Sequence, residues 1–296
     1  MKTFYQILAN TLLANVTNMT VWFAMIFFIY LETPSVTATS VVSGIYLVAV
    51  AVSGIWFGSI VDHNKKKNVM LLSGFVSLII YSIGFVVYIT VPAETWKDAT
   101  SPTLWVFVPL LLLGVIAGNL RGIALPTLVT ILIPEDSRDK ANGLVGTTTG
   151  IIFLITSAIS GFLVAHSGMY LVLILAIVVM ALSIAHLFFT EIPEKEIVHL
   201  EGQPPKVDLR GTFALVIAIP GLIALIFFST FNNFLGGVFM GLMDAYGLSL
   251  VSVQVWGVLW AVYFMLDGFD LGLGTLLPVL GKNDTDRRVI YRAMGP

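Results

Sequence analysis

The chain has 296 residues, 57% hydrophobic and 11% charged, with a mean hydropathy of +0.96, which excludes a soluble domain and places the protein in a bilayer. A net charge of −2 provides no basic field for nucleic acid, so nucleic-acid partners are set aside. Without cysteine, the chain has no disulfides, thiolate metal sites or cysteine nucleophiles.

Met1-Lys2 leads straight into an apolar stretch that lacks a small-residue cleavage site, so the first segment reads as an anchor. Apolar runs long enough to cross roughly 30 Å of hydrocarbon follow at 4–31, 36–61, 69–91, 104–133, 141–165, 168–190, 212–235 and 254–280. The expected fold is all-α, a polytopic bundle of about eight membrane helices. The polar segment 191–211, rich in Pro and charge, is the natural linker between two bundles. Lys2, Lys65, Lys66, Lys67, Arg138, Lys140, Lys195, Lys206, Arg210, Lys282, Arg287, Arg288 and Arg292 fall on the side of the N-terminus, and only Lys97 falls in the opposite loops. That asymmetry puts the N-terminus in the cytoplasm of what is expected to be a bacterial plasma (inner) membrane.

Within the spans, polar groups should face a bundle interior or a wet cavity. Thr11, Asn15, Asn18 and Trp22 share one helical face, as a cavity lining or as interhelical hydrogen-bond contacts. Ser229, Thr230, Asn232 and Asn233 repeat the style in the seventh span, as a counterpart helix would. Arg121 is the one basic residue deep inside a span and needs a partner or water, in a transport role or as a structural pair. The stretches "GTTTG" (146–150) and "SAISG" (157–161) read as close-packing surfaces. His166 and His186 are isolated near span ends and suit packing or interface roles. No catalytic constellation, metal cluster or cofactor site is expected, and the chain is not read as an enzyme.

The loop "GSIVDHNKKKNV" (58–69) carries Gly58, Asp62, His63, Lys65, Lys66 and Lys67. This pattern resembles the signature loop of the major facilitator superfamily, with His63 where Arg is usual and Lys65 where a second Gly is usual. The resemblance implies that Gly58 permits close helix contact, that Asp62 pairs at a cytoplasmic gate and that the lysines hold the loop to neighbouring helices and lipid. Arg121 fits the arginine of the family's fourth helix, and "LPTLVTILIPEDSRDKANGL" (125–144) is similar to the following connection in efflux-type members. The Gly-Pro motif that many antiporters carry in helix five is absent, which leaves direction and coupling ion open. The resemblance covers residues 1–255: a six-helix N-terminal half (1–190), the linker (191–211) and the start of a second half (212–255), which is incomplete. It implies a secondary transporter, an exporter of small molecules by alternating access, with Thr11, Asn15, Asn18, Arg121, Asn232 and Asn233 on the pathway and a coupling ion as a possible partner.

From about residue 256, "WGVLWAVYFMLDGFDLGLGTLLPVLGKNDTDRRVIYRAMGP" is similar instead to the beginning of subunit II of cytochrome bd-type quinol oxidases. The run Asp267-Gly268-Phe269-Asp270-Leu271-Gly272 carries that resemblance, together with "LLP" and "DTDRR". It implies packing against oxidase subunit I, and a chain that is truncated and chimeric, joined near 256–262. The alternatives at this stage are therefore a transporter, an oxidase component in respiratory electron transfer, or an inactive fusion fragment.

Overall fold

A backbone in hydrocarbon must satisfy its own N–H and C=O groups, and the described residues form helices with no strand among them. The computed structural model describes residues 2–194, 211 and 216–280, with the backbone alone at 55 and 267–280. The helices are α1 (Lys2–Glu32), α2 (Val36–His63), α3 (Lys66–Thr90), α4 (Pro102–Leu132), α5 (Arg138–Ser167), α6 (Tyr170–Phe189), α7 (Leu222–Leu250) and α8 (Val253–Leu280). Among the described residues α1 to α7 are long and apolar enough to cross a membrane, which makes this an all-α polytopic membrane bundle.

Local chemistry fixes several boundaries. Ser35 caps α2 by accepting the Ala38 N–H at 3.1 Å, and Pro102 occupies the first turn of α4, where a missing N–H costs nothing. Seven of the expected spans match the helices to within three residues at each end. The seventh does not. It was expected at 212–235, but Gly221 adopts a left-handed φ of 81° after Pro220, and the helix proper runs from Leu222 to Leu250. Residues 236–250, read from the sequence as a connection, are therefore helical, and Val251-Ser252 alone links α7 to α8.

α1 is the hub, packed against α2, α4, α5, α6 and α7. The buried side chains form two apolar cores stacked along the bundle. One lies at the end shared by the start of α1 and the basic loops and holds Phe4, Ile7, Val69, Met70, Leu128 and Ala141. The other fills the opposite half around Phe23, Phe27, Tyr81, Phe107, Val172 and Met180. Its far end is closed by Trp96, on the 3-10 turn Ala93–Lys97, whose ring meets Phe28, Tyr88 and Phe107 at centroid distances of 6.0, 5.7 and 4.9 Å. Large apolar side chains such as Val48, Leu182 and Phe189 stay exposed on the outside, as a lipid-facing surface requires.

α8 lies along α5, its most extensive partner. The approach is close because glycines face backbone: a Cβ on Gly161 would lie 2.5 Å from the Val253 carbonyl oxygen, and one on Gly257 would lie 2.5 Å from that of Ser157. "SAISG" is thus a packing surface, as expected from its small residues. "GTTTG" is not, since Gly146 and Gly150 face open space. The boundary drawn at residue 256 falls within the first turn of α8, so both sides of it belong to one continuous helix. Residues 195–210 of the linker and the "DTDRR" loop lie outside the described residues.

Gly257→Leu forces α5 and α8 apart and should cost about 1–3 kcal/mol, read as a lowered midpoint in denaturant titration of the purified protein. Gly146→Ala should leave that midpoint unchanged or raise it slightly.

Candidate functional site

Phe57 and Leu71 pack against both apolar cores, and between the buried parts of the two on α1, α3 and α4 lies a set of buried polar side chains. Arg121 of α4 sits there, fully buried, and its Nη1 donates to Asn10 Oδ1 of α1 at 2.7 Å. Asn10 is in turn fixed from α6: its Nδ2 donates to the Ser183 carbonyl at 2.7 Å and lies 3.2 Å from His186 Nδ1. The Nε and Nη2 groups of Arg121 find no acceptor among the described residues. Gly74 of α3 leaves room for the guanidinium, because a Cβ there would stand 3.0 Å from Nη2. The ion pair found among the described residues is Lys97–Glu94, so Arg121 is held by an amide and not by a carboxylate.

The layer continues towards α3 and α5. Ser73 and Ser77 donate to the carbonyls of Ala117 and Gly114, both at 2.8 Å, and clasp α3 to α4. Tyr81 donates its hydroxyl to Asn18 Oδ1 at 2.7 Å. Asn18 presses on Gly118, where any side chain would collide with its amide. Beside them a cavity of about 100 Å³ is lined by Asn15, Asn18, Gly118, Asn119, Thr149 and Phe153, among others. The side-chain N–H₂ groups of Asn18 and Asn119 have no partner among the described residues, which gives this small cavity polar walls.

The sequence-predicted residues distribute unevenly around this centre. Asn15 and Asn18 line the cavity; Thr11 is buried in the same helix, and Trp22 lies tilted against Tyr46 of α2 with centroids 4.1 Å apart. Asn232 and Asn233 do not join them. Both are exposed on α7, and Asn233 bonds back to the Ser229 carbonyl at 2.8 Å. His166 is exposed at the end of α5, and His186 meets Asn10. Asp267, Gly268, Phe269, Asp270 and Gly272 fall in the part of α8 whose backbone alone is described.

At the basic end, Asp62 is exposed in the last turn of α2, with no hydrogen bond or ion pair among the described residues. Gly58 faces open space, and His63 Nδ1 lies 2.9 Å from the Ser59 carbonyl. Lys65 is exposed, Lys66 Nζ reaches the Asn64 carbonyl at 3.2 Å, and Lys67 Nζ reaches that of Phe188 at 3.0 Å. Sequence reasoning missed Glu194. Its carboxylate accepts the backbone N–H groups of Lys66 and Lys67, at 2.6 and 2.9 Å, and so caps the positive end of α3. A second omission is Asp244, buried on α7 in the stretch read as a connection.

The first six helices thus form a bundle with a buried cation at mid-depth and a basic connection clamped between the second and third. The Major Facilitator Superfamily sequence profile matches residues 7–285. The chain belongs to the major facilitator superfamily. Membership makes it a secondary transporter embedded in a bilayer, acting on small molecules. The match continues across residues 256–285, the segment that resembles an oxidase subunit, and the comparisons bring no support for that second resemblance. Neither the curated proteins nor the solved structures that were searched gave a match.

Two substitutions test the geometry. Asn10→Leu strips Arg121 of its acceptor and should cost about 3 kcal/mol or more, measured by denaturant titration in micelles. Glu194→Gln weakens two charge-assisted bonds at the start of α3 and should cost about 1 kcal/mol in the same assay.

Proposed function

We propose that the protein exports small organic molecules by alternating access, in a bacterial plasma membrane with its N-terminus in the cytoplasm. Arg121 carries this reading. A guanidinium fully buried in a membrane bundle, bonded to an amide and with two nitrogens lacking acceptors among the described residues, is expensive for a purely structural group. Arg121 does not line the amide-walled cavity between α1 and α4, but Asn119 and Gly122 of its own helix do, so a substrate group or coupling ion entering there would act on the helix that carries the charge. The N-side clustering of Lys and Arg supports the orientation. In this reading residues 1–190 are the first transporter half, 191–211 the linker, and 212–255 the entry into the second half. Asp62, exposed and unbonded among the described residues, is the gate group that engages a partner in only part of the transport cycle.

Replacing Arg121 by Met removes a buried charge, which is neutral or stabilising to within about 1 kcal/mol when the site is structural only. The expected result is a protein that melts normally and no longer lowers substrate accumulation in a host stripped of its own pumps. Asp62→Asn should likewise leave stability within about 0.5 kcal/mol and abolish efflux. Unchanged efflux by both variants overturns the proposal.

A second reading is favoured by one observation, the run "DGFDLG" at 267–272: residues 256–296 derive from an oxidase subunit, and the chain is a fusion. Co-purification with a haem-bearing partner, seen as a visible absorption band, would support a respiratory role. A single amplicon across codons for residues 235 to 275 would establish that the two parts are joined in the source DNA.

A further inference from the structure

Asp244 is a buried carboxyl group that lacks an ionic partner among the described residues. It lies on α7, one turn before Gly247, and its Oδ1 accepts the indole N–H groups of Trp256 and Trp260 of α8 at 2.9 and 2.6 Å. Oδ2 carries no hydrogen bond among the described residues, and no Lys or Arg occurs anywhere between Leu222 and Leu280. Gly247 lets the Trp256 ring lie against α7, since a Cβ at that position would collide with the ring.

The same two indoles form one wall of a cavity of about 190 Å³ between α7 and α8, completed by Phe239, Met243, Leu259 and Tyr263. Four of its six lining residues are aromatic, and their rings are set at angles around a shared space. Phe239 meets Trp260 edge-on at 6.0 Å, Trp260 meets Tyr263 edge-on at 5.4 Å, and Phe239 lies 6.1 Å from Tyr263. Tyr263 and Leu259 are each 44% exposed, so the cavity is not closed on their side.

Ring faces attract cations through their quadrupole, within about 6 Å of the centroid, and desolvation strengthens the attraction. An indole whose N–H donates to a carboxylate is polarised by that bond, which raises electron density on its face. Both tryptophans are so polarised, by a carboxylate with no counter-ion among the described residues. An uncharged hydrocarbon guest would use the aromatic walls and leave the carboxylate unanswered.

From this arrangement we infer that the α7–α8 cavity binds the head of an organic cation, a quaternary or tertiary ammonium with small alkyl groups. The inference rests on the transporter reading for its purpose, because a cation held there is a transport substrate, but the binding site itself does not require that reading. Asp244 is the counter-ion, acting through the two indoles, and Tyr263 and Phe239 complete the cage.

The test is equilibrium dialysis of radiolabelled choline against the full chain in lipid nanodiscs. The competitor is the uncharged carbon isostere, in which a tert-butyl group replaces the trimethylammonium. Expected are saturable choline binding, no competition by the isostere, and about tenfold weaker binding in Asp244→Asn and in Tyr263→Leu. Tyr263 is half-exposed and touches the Asp244 network only by ring contact with Trp260, with no hydrogen bond to it among the described residues, so its variant decides the matter if Asp244→Asn fails to fold. Non-saturable binding, equal competition by the isostere, or unchanged binding in a folded Tyr263→Leu variant overturns the inference. Proteoliposomes from the same preparation separate the two readings. Saturable choline binding with no transport of any solute tested sinks the transporter reading and leaves the site standing, whereas transport of other solutes without choline binding does the reverse.

Discussion

The buried guanidinium of Arg121, answered by Asn10, is the constraint around which the six-helix bundle is arranged. A guanidinium at the centre of a membrane protein cannot be left to hydrocarbon, and the molecule answers it with a layer rather than a single partner. α1 supplies the acceptor, α6 orients that acceptor through the Ser183 carbonyl, and α3 contributes a glycine so that the charge fits. Four helices are thereby tied at one level, with an apolar core on either side of it. Because each member of the layer uses helix-borne side chains, none can be shifted by a turn without unpairing its neighbour.

This layering explains why α1 is so thoroughly enclosed while α7 is not. α1 carries the amides that meet the charge and therefore stays inside; its Asn10, Thr11, Thr17, Asn18 and Thr20 are buried, with Asn15 half-buried and Gln6 exposed. α7 carries amides too, at Asn232 and Asn233, yet they are exposed, and the helix is held by contacts near its far end. Ser40 of α2 donates to the Gly241 carbonyl at 2.9 Å, and Asp244 gathers the two indoles of α8. The repeat of composition between the first and seventh spans is therefore not a repeat of environment among the described residues.

Much of the fold was legible because hydropathy and helical period act locally. Segment lengths set by bilayer thickness placed seven spans well, and the shared face of Asn15 and Asn18 followed from spacing alone. The seventh span failed for a local reason as well: Pro220-Gly221 breaks the helix, but an apolar average runs across a break without registering it. That error hid Asp244, since an aspartate in a supposed loop raises no question, whereas one inside a membrane helix does. Glu194 was hidden differently. Its role exists only because the end of α6 returns beside the start of α3, and nothing in "EIPEKE" announces that neighbour. The sequence likewise shows Arg121 to be anomalous without showing that its partner would be Asn10, 111 positions away.

The buried groups Arg121 and Asp244 do not neutralise each other. One sits among α1, α3, α4 and α6; the other sits between α7 and α8, and each is met by neutral groups on its own side. Neutral partners stabilise a charge less than an opposite charge does, but they leave its field unspent and available to a ligand. A membrane protein that required only stability would gain by replacing both with apolar side chains of similar volume. The same reasoning applies to the α8 segment. Its two tryptophans are hydrogen-bonded to α7 and its Gly257 is set against α5, so residues 253–266 are built into the transporter bundle whatever their origin. Any function assigned to the remainder of α8 has to operate from a helix anchored at its start by the transporter's own backbone.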